Sequence, residues 1–89
     1  MNIPTLIGLA AATLTTISFL PQAIKTIKTK ETKGISIGMY SIFTTGILLW
    51  LIYGITVKDL PLIIANAITL IFTTTILLLV LKNKKDHLI

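Results

Sequence analysis

Apolar residues fall along the chain in three long runs, at about 3–24, 36–57 and 60–81, separated by short polar stretches. Each run holds about 22 residues, which as a helix extend roughly 33 Å and can cross a hydrocarbon layer of about 30 Å. None contains Asp, Glu, Lys, Arg or His. The pattern predicts an all-α membrane protein with three transmembrane helices. The first run reads as a retained span rather than a cleaved leader, because Met1-Asn2-Ile3-Pro4 carries no basic side chain and the run is full length.

The polar positions inside the runs are few and ordered. In the first, Thr15, Ser18 and Gln22 lie at i, i+3 and i+7 and share one helix face, beside a small-residue patch at Ala10-Ala11-Ala12. Single hydroxyls commonly bond back to their own helix, but a polar face that ends in Pro21-Gln22 asks for more. Proline removes a backbone donor and kinks a helix, and the glutamine amide needs a partner in hydrocarbon. This stretch reads as a hinge. In the second run, Gly34 and Gly38 form a G-x-x-x-G at the start, a weak helix-contact motif. Met39, Phe43, Gly46, Trp50 and Tyr53 follow at alternating spacings of four and three, which makes one seam facing a partner helix. Trp50 lies about seven residues, roughly 10 Å, from the outer end, where its indole N–H needs a partner. In the third run Asn66 is the only strongly polar residue, about six residues or roughly 9 Å down, with Thr69 and Thr73 continuing its face. An unsatisfied amide costs about 4–8 kcal/mol in hydrocarbon, so Asn66 either bonds a neighbouring helix or meets a ligand. Between the second and third runs, Asp59 is placed to cap the third helix, with Pro61 in its first turn.

Charge supplies the orientation. The chain has 89 residues, 54% hydrophobic, and a net charge of +5 carried by lysine alone. Lys25, Lys28, Lys30 and Lys33 follow the first run against Glu31, and Lys82, Lys84 and Lys85 follow the third, whereas the second connection has only Lys58 and Asp59. Basic residues favour the cytoplasmic side, which predicts a plasma-membrane protein with its N-terminus outside and its C-terminus inside. The lysines read as a solvated anchor, with direct lipid-headgroup contact as the sharper alternative. Lysines confined to the ends of apolar runs argue against nucleic-acid binding.

The chemistry is narrow. No nucleophile–base pair and no cluster of metal ligands is present, and there is no cysteine. The chain therefore reads as a non-enzyme without metal or cofactor. Proton-coupled carriers keep an ionisable group in the membrane, and this chain keeps none. Amides, hydroxyls and aromatic faces at matched depth suit a neutral, polyhydroxylated ligand. Three helices cannot enclose a sugar-sized cavity, so the path is expected to be shared by two copies in a closed two-fold dimer.

The motifs Thr15-Thr16-x-Ser18-Phe19-x-Pro21-Gln22, Lys33-Gly34-Ile35-Ser36 with Met39-Tyr40, Trp50-x-x-Tyr53-Gly54, Asp59, and Ile64-Ala65-Asn66 before Thr69-Leu70 run through nearly the whole chain. On these the sequence resembles the SemiSWEET sugar transporters, half-size relatives of the SWEETs within the PQ-loop family. The resemblance implies one repeat over residues 1–89, a triple-helix bundle with the third helix between the first two, and a parallel homodimer about an axis along the membrane normal. It implies alternating-access uniport of a neutral sugar, glucose- or sucrose-like. Trp50 and Asn66 match the sugar-contacting pair, Pro21 with Gln22 the hinge, Met39 and Phe43 the inner gate, and Tyr53 and Asp59 the outer gate. Val57 stands where some relatives carry a basic residue, and Lys58 would point about 100° away on a helix. A Tyr53–Asp59 hydrogen bond is therefore expected in place of a salt bridge. The rival readings are a PQ-loop carrier of small neutral amino acids and a holin-like or accessory membrane subunit.

Overall fold

A computed structural model describes residues 2–88, with side chains through Lys85. Three helices, α1 (Ile3–Thr29), α2 (Ile37–Thr56) and α3 (Leu60–Leu88), account for nearly all of it, and each is long and apolar enough to cross a membrane. Their starts follow the caps. Asn2 Oδ1 accepts from the Thr5 amide at 2.8 Å, with Pro4 in the first turn. Ser36 Oγ accepts from the Met39 amide at 3.1 Å, and Asp59 Oδ1 accepts from the Leu62 amide at 3.2 Å. Each satisfies an amide that the first turn leaves without an intrahelical partner.

Two ends differ from expectation. α1 runs on through Lys25 and Lys28 to Thr29, and α3 continues past Leu81 to Leu88. Hydropathy marks where hydrocarbon stops, but a helix stops where its backbone is capped or broken. Lysine is a good helix former and nothing in either extension breaks the helix. α1 ends only at Lys30, whose φ of 56° is left-handed.

α3 lies between α1 and α2. Both pack along it, and among the described residues α1 and α2 have no close backbone approach to each other. Connection length explains this order. Residues 57–59 form a tight turn that sets α3 beside α2. In it the Lys58 amide donates to the Ile55 carbonyl at 3.2 Å and the Asp59 amide to the Gly54 carbonyl at 2.9 Å, around Lys58 at φ 57°. This is the paired-bond helix stop that usually employs glycine. Residues 30–36 form a longer linker that can pass across the end of α3.

The two ends of the bundle are held differently. At the turn end, backbones meet. A Cβ on Gly8 would sit 3.2 Å from Pro61 Cγ, and one on Gly54 would sit 3.0 Å from Leu62 Cβ. At the linker end, side chains meet. Ala23, Ile76 and Val80 form a buried cluster against Phe19, Ile27, Ile35, Ile37, Tyr40 and Phe72. The Gly34-x-x-x-Gly38 motif mediates no helix contact here. Gly34 is a linker residue at φ 87°, and a Cβ on Gly38 would meet only Ser36 Oγ, at 3.8 Å. The glycines that let helices close are Gly8 and Gly54.

Candidate functional site

α1 and α2 stand on either side of α3 without closing over it, and an open crevice of about 490 Å³ remains above α3. That lies within the roughly 300–1,000 Å³ of small-ligand clefts. Asn66 and Thr69 contribute from α3, Thr15 and Thr16 from α1, and Phe43 from α2. A second groove between α1 and α3, about 330 Å³, is lined almost wholly by aliphatic side chains such as Leu9, Leu20, Ile64 and Ile68. It offers little to a polar ligand, so the crevice at Asn66 is the candidate site.

Asn66 is half-buried. Its Nδ2 donates to the Leu62 carbonyl of its own helix at 2.9 Å, so within the protomer the amide does not glue two helices together. Among the described residues its Oδ1 has no protein donor, which leaves a carbonyl acceptor beside the crevice. Thr69 lines the crevice with it, whereas Thr73, one turn on, is fully buried.

Trp50 is 55% exposed. Its ring meets Tyr53 edge-on, with centroids 5.7 Å apart. It lines a shallow depression with Gly46, Leu49 and Tyr53 rather than the Asn66 crevice, so one protomer does not bring the two residues together. Their levels still match. Trp50 stands six positions before Thr56 at the end of α2, and Asn66 six positions after Leu60 at the start of α3, about 9 Å from the turn in each case. The seam read from the sequence faces outward: Met39, Phe43, Trp50 and Tyr53 are all exposed. α2 presents Ile47 and Gly54 as its buried positions instead.

The residues read as a hinge sit in an unbroken α1. Pro21 and Gln22 are exposed, and among the described residues the Gln22 side chain makes no hydrogen bond. The polar face above them is internally satisfied: Thr15 Oγ1 donates to the Ala11 carbonyl at 3.0 Å and Ser18 Oγ to the Thr15 carbonyl at 2.8 Å. Ordinary back-bonding therefore accounts for those two hydroxyls. At the linker end Phe43 meets Tyr40 edge-on at 6.0 Å and borders the crevice.

At the turn end the expected Tyr53–Asp59 hydrogen bond is not made. The Asp59 carboxylate accepts from the Leu62 amide, and among the described residues the Tyr53 hydroxyl has no hydrogen bond to it. Lys58 does not stand on a helix, as its position beside Val57 suggested. The left-handed turn that ends α2 carries it instead.

Two features escaped the sequence. Thr44 Oγ1 is buried with no partner among the described residues, unlike the back-bonded Thr45 beside it. Asn83 donates at 3.0 Å to the Lys30 carbonyl and at 2.8 Å to Thr32 Oγ1 across the linker. The one hint was an amide two positions beyond Leu81, the end of the third apolar run.

Comparison with known proteins adds the following. The family model of the PQ loop repeat matches residues 3–63. A protein of Leptospira biflexa named sugar transporter SemiSWEET is 54% identical over 72 residues, 81% of this chain and 85% of its own length. The Escherichia coli protein of the same name is 46% identical over 80 residues, 90% of each chain. A crystal structure of SemiSWEET in the inward-open conformation superposes with a TM-score of 0.91 at 44% identity, covering 96% of this chain and 99% of the other. That of a bacterial homologue of SWEET transporters gives 0.77 at 37% identity, covering 91% and 98%.

Proposed function

This chain belongs to the PQ-loop family, among its SemiSWEET members, and on that premise we propose that it carries a neutral mono- or disaccharide across the plasma membrane as a parallel homodimer. It is a carrier and not an enzyme. The observation that supports a sugar site is the open crevice with the free Asn66 carbonyl at the level of Trp50. A carbonyl acceptor suits sugar hydroxyls, and an indole suits the apolar face of a pyranose ring.

The dimer reading rests on incompleteness. The crevice is open, and along the seam Met39, Phe43, Trp50 and Tyr53 are all exposed, with only Phe43 turned to the crevice. A second copy related by a two-fold axis along the membrane normal gives that seam a partner and supplies Trp50 and Asn66 twice around one path. Lysines at the linker end put that end in the cytoplasm.

Transport is uniport by alternating access. The three apolar spans hold no Asp, Glu, Lys, Arg or His, so they offer no side chain for a proton relay. Pro21 is the hinge of α1, Met39 and Phe43 close the inner side, and Tyr53 and Asp59 close the outer side. The likeness to an inward-open relative supports reading this structure as an inward-open state.

Counterflow of radiolabelled glucose and sucrose in liposomes tests the reading. Wild type is expected to exchange one of them, and Trp50→Ala and Asn66→Ala to lose exchange while remaining dimeric. Exchange that survives both substitutions removes the site. A wild type that exchanges no neutral sugar removes the substrate class.

A further inference from the structure

The side-chain hydrogen bonds within the described residues are local, joining positions at most four apart, with two exceptions. Both exceptions belong to Asn83. Its Nδ2 donates to the Lys30 carbonyl, 53 positions away, and to Thr32 Oγ1, 51 positions away. Both amide protons are thereby used. Lys30 closes α1 in the left-handed conformation, where helix carbonyls run out of intrahelical donors. A side chain of α3 therefore caps the end of α1 and grips the first residues of the linker.

This clasp has a mechanical setting. Pro21 has no N–H, so α1 is weakest between Ile17 and Pro21. Beyond it, residues 22–29 form a short arm. One stripe holds that arm to α3: Ala23 and Thr26 are buried, and Ala23 packs with Ile76 and Val80. Ile27, on the same stripe, is half-buried against that cluster, and the other side chains, including Ile24, Lys25 and Lys28, are exposed. An arm held by one stripe frays at its free end. Asn83 closes that end.

We propose that Asn83 is a positioning residue for transport. It locks the α1 arm, the linker and the tail of α3 into one body, so that a bend at Pro21 moves the inner side as a unit and is not lost in fraying. The inference rests on the transport reading above, and its test includes an arm that needs no substrate. The chain has no cysteine, so spin labels at Lys28→Cys and Lys85→Cys report the arm-to-tail distance, with labelled protein diluted in unlabelled protein to isolate one protomer.

In Asn83→Ala the distance distribution is expected to broaden. Maximal sugar flux per folded dimer is expected to fall about three- to tenfold, the factor that one net hydrogen bond carries. The half-saturation concentration is expected to change less than about twofold, because the crevice is untouched. Asn83→Gln, which keeps both donors, should recover much of the flux, and Thr32→Val, which removes one acceptor, should fall between. A distribution as narrow as wild type overturns the proposal. So does unchanged maximal flux per folded dimer, or a loss confined to half-saturation. If wild type moves no sugar, the transport reading falls while the distance measurement still decides whether Asn83 makes one body of the arm and the tail.

Discussion

The two ends of the bundle bring helices together by opposite means. At the turn end Gly8 and Gly54 let backbones approach until a single added carbon would collide. At the linker end large side chains interlock around Ile76, and a polar clasp crosses the gap. A glycine contact has no side chain to rearrange, so the turn end is intolerant of added volume. A side-chain core tolerates reshaping but loses stability when volume is removed. The short turn and the long linker of this chain are therefore more than connections. The tight turn goes with a close joint, and the long linker with a joint that can be repacked.

Four substitutions test that contrast, read as unfolding free energy in detergent. The largest effect is expected from Ile76→Ala. Ile76 is 1% exposed, and removing its side chain should cost about 2–5 kcal/mol. A cost under about 1 kcal/mol would mean that the linker end is loosely packed. Next comes Gly54→Ala, which places a Cβ 3.0 Å from Leu62 Cβ and 3.4 Å from the Ile63 nitrogen. It should cost about 1–3 kcal/mol, whereas Gly46→Ala, with nothing within 4 Å, should leave stability unchanged or slightly raised. Equal behaviour of the two glycines would remove the close-contact account of the turn end. The smallest effect is expected from Asp59→Ala. Losing the cap on the Leu62 amide should cost about 1 kcal/mol. A gain in stability instead would show that Asp59 is strained for a purpose other than capping.

Much of the fold was legible because its causes are local. The apolar runs gave three spans, Asp59 capped the third helix as read, and the short second connection against the long first one agrees with α3 lying in the middle. Helix ends at Thr29 and Leu88 were not legible, because composition reports the solvent and a helix answers to its caps. The seam through Trp50 was visible as a face, but a helical period does not say what the face meets, and within one protomer most of it is exposed. Asn66 was visible as an expensive amide, while its bond back to Leu62 depends on a rotamer. Asn83 was hidden because its two acceptors lie more than fifty positions away, where no spacing rule reaches.

The central place of α3 has a mechanical consequence. Since α1 and α2 make no close backbone approach to each other among the described residues, backbone packing joins the three helices as two springs in series, with α3 as the shared node. Compliances in series add, and the softer joint takes up most of any displacement. Apart from the linker at residues 30–36, a load on α1 reaches α2 only as far as α3 is stiff. Lesions on the α1 and α2 faces should therefore add when far apart and show interaction energy where they strain the same turn of α3.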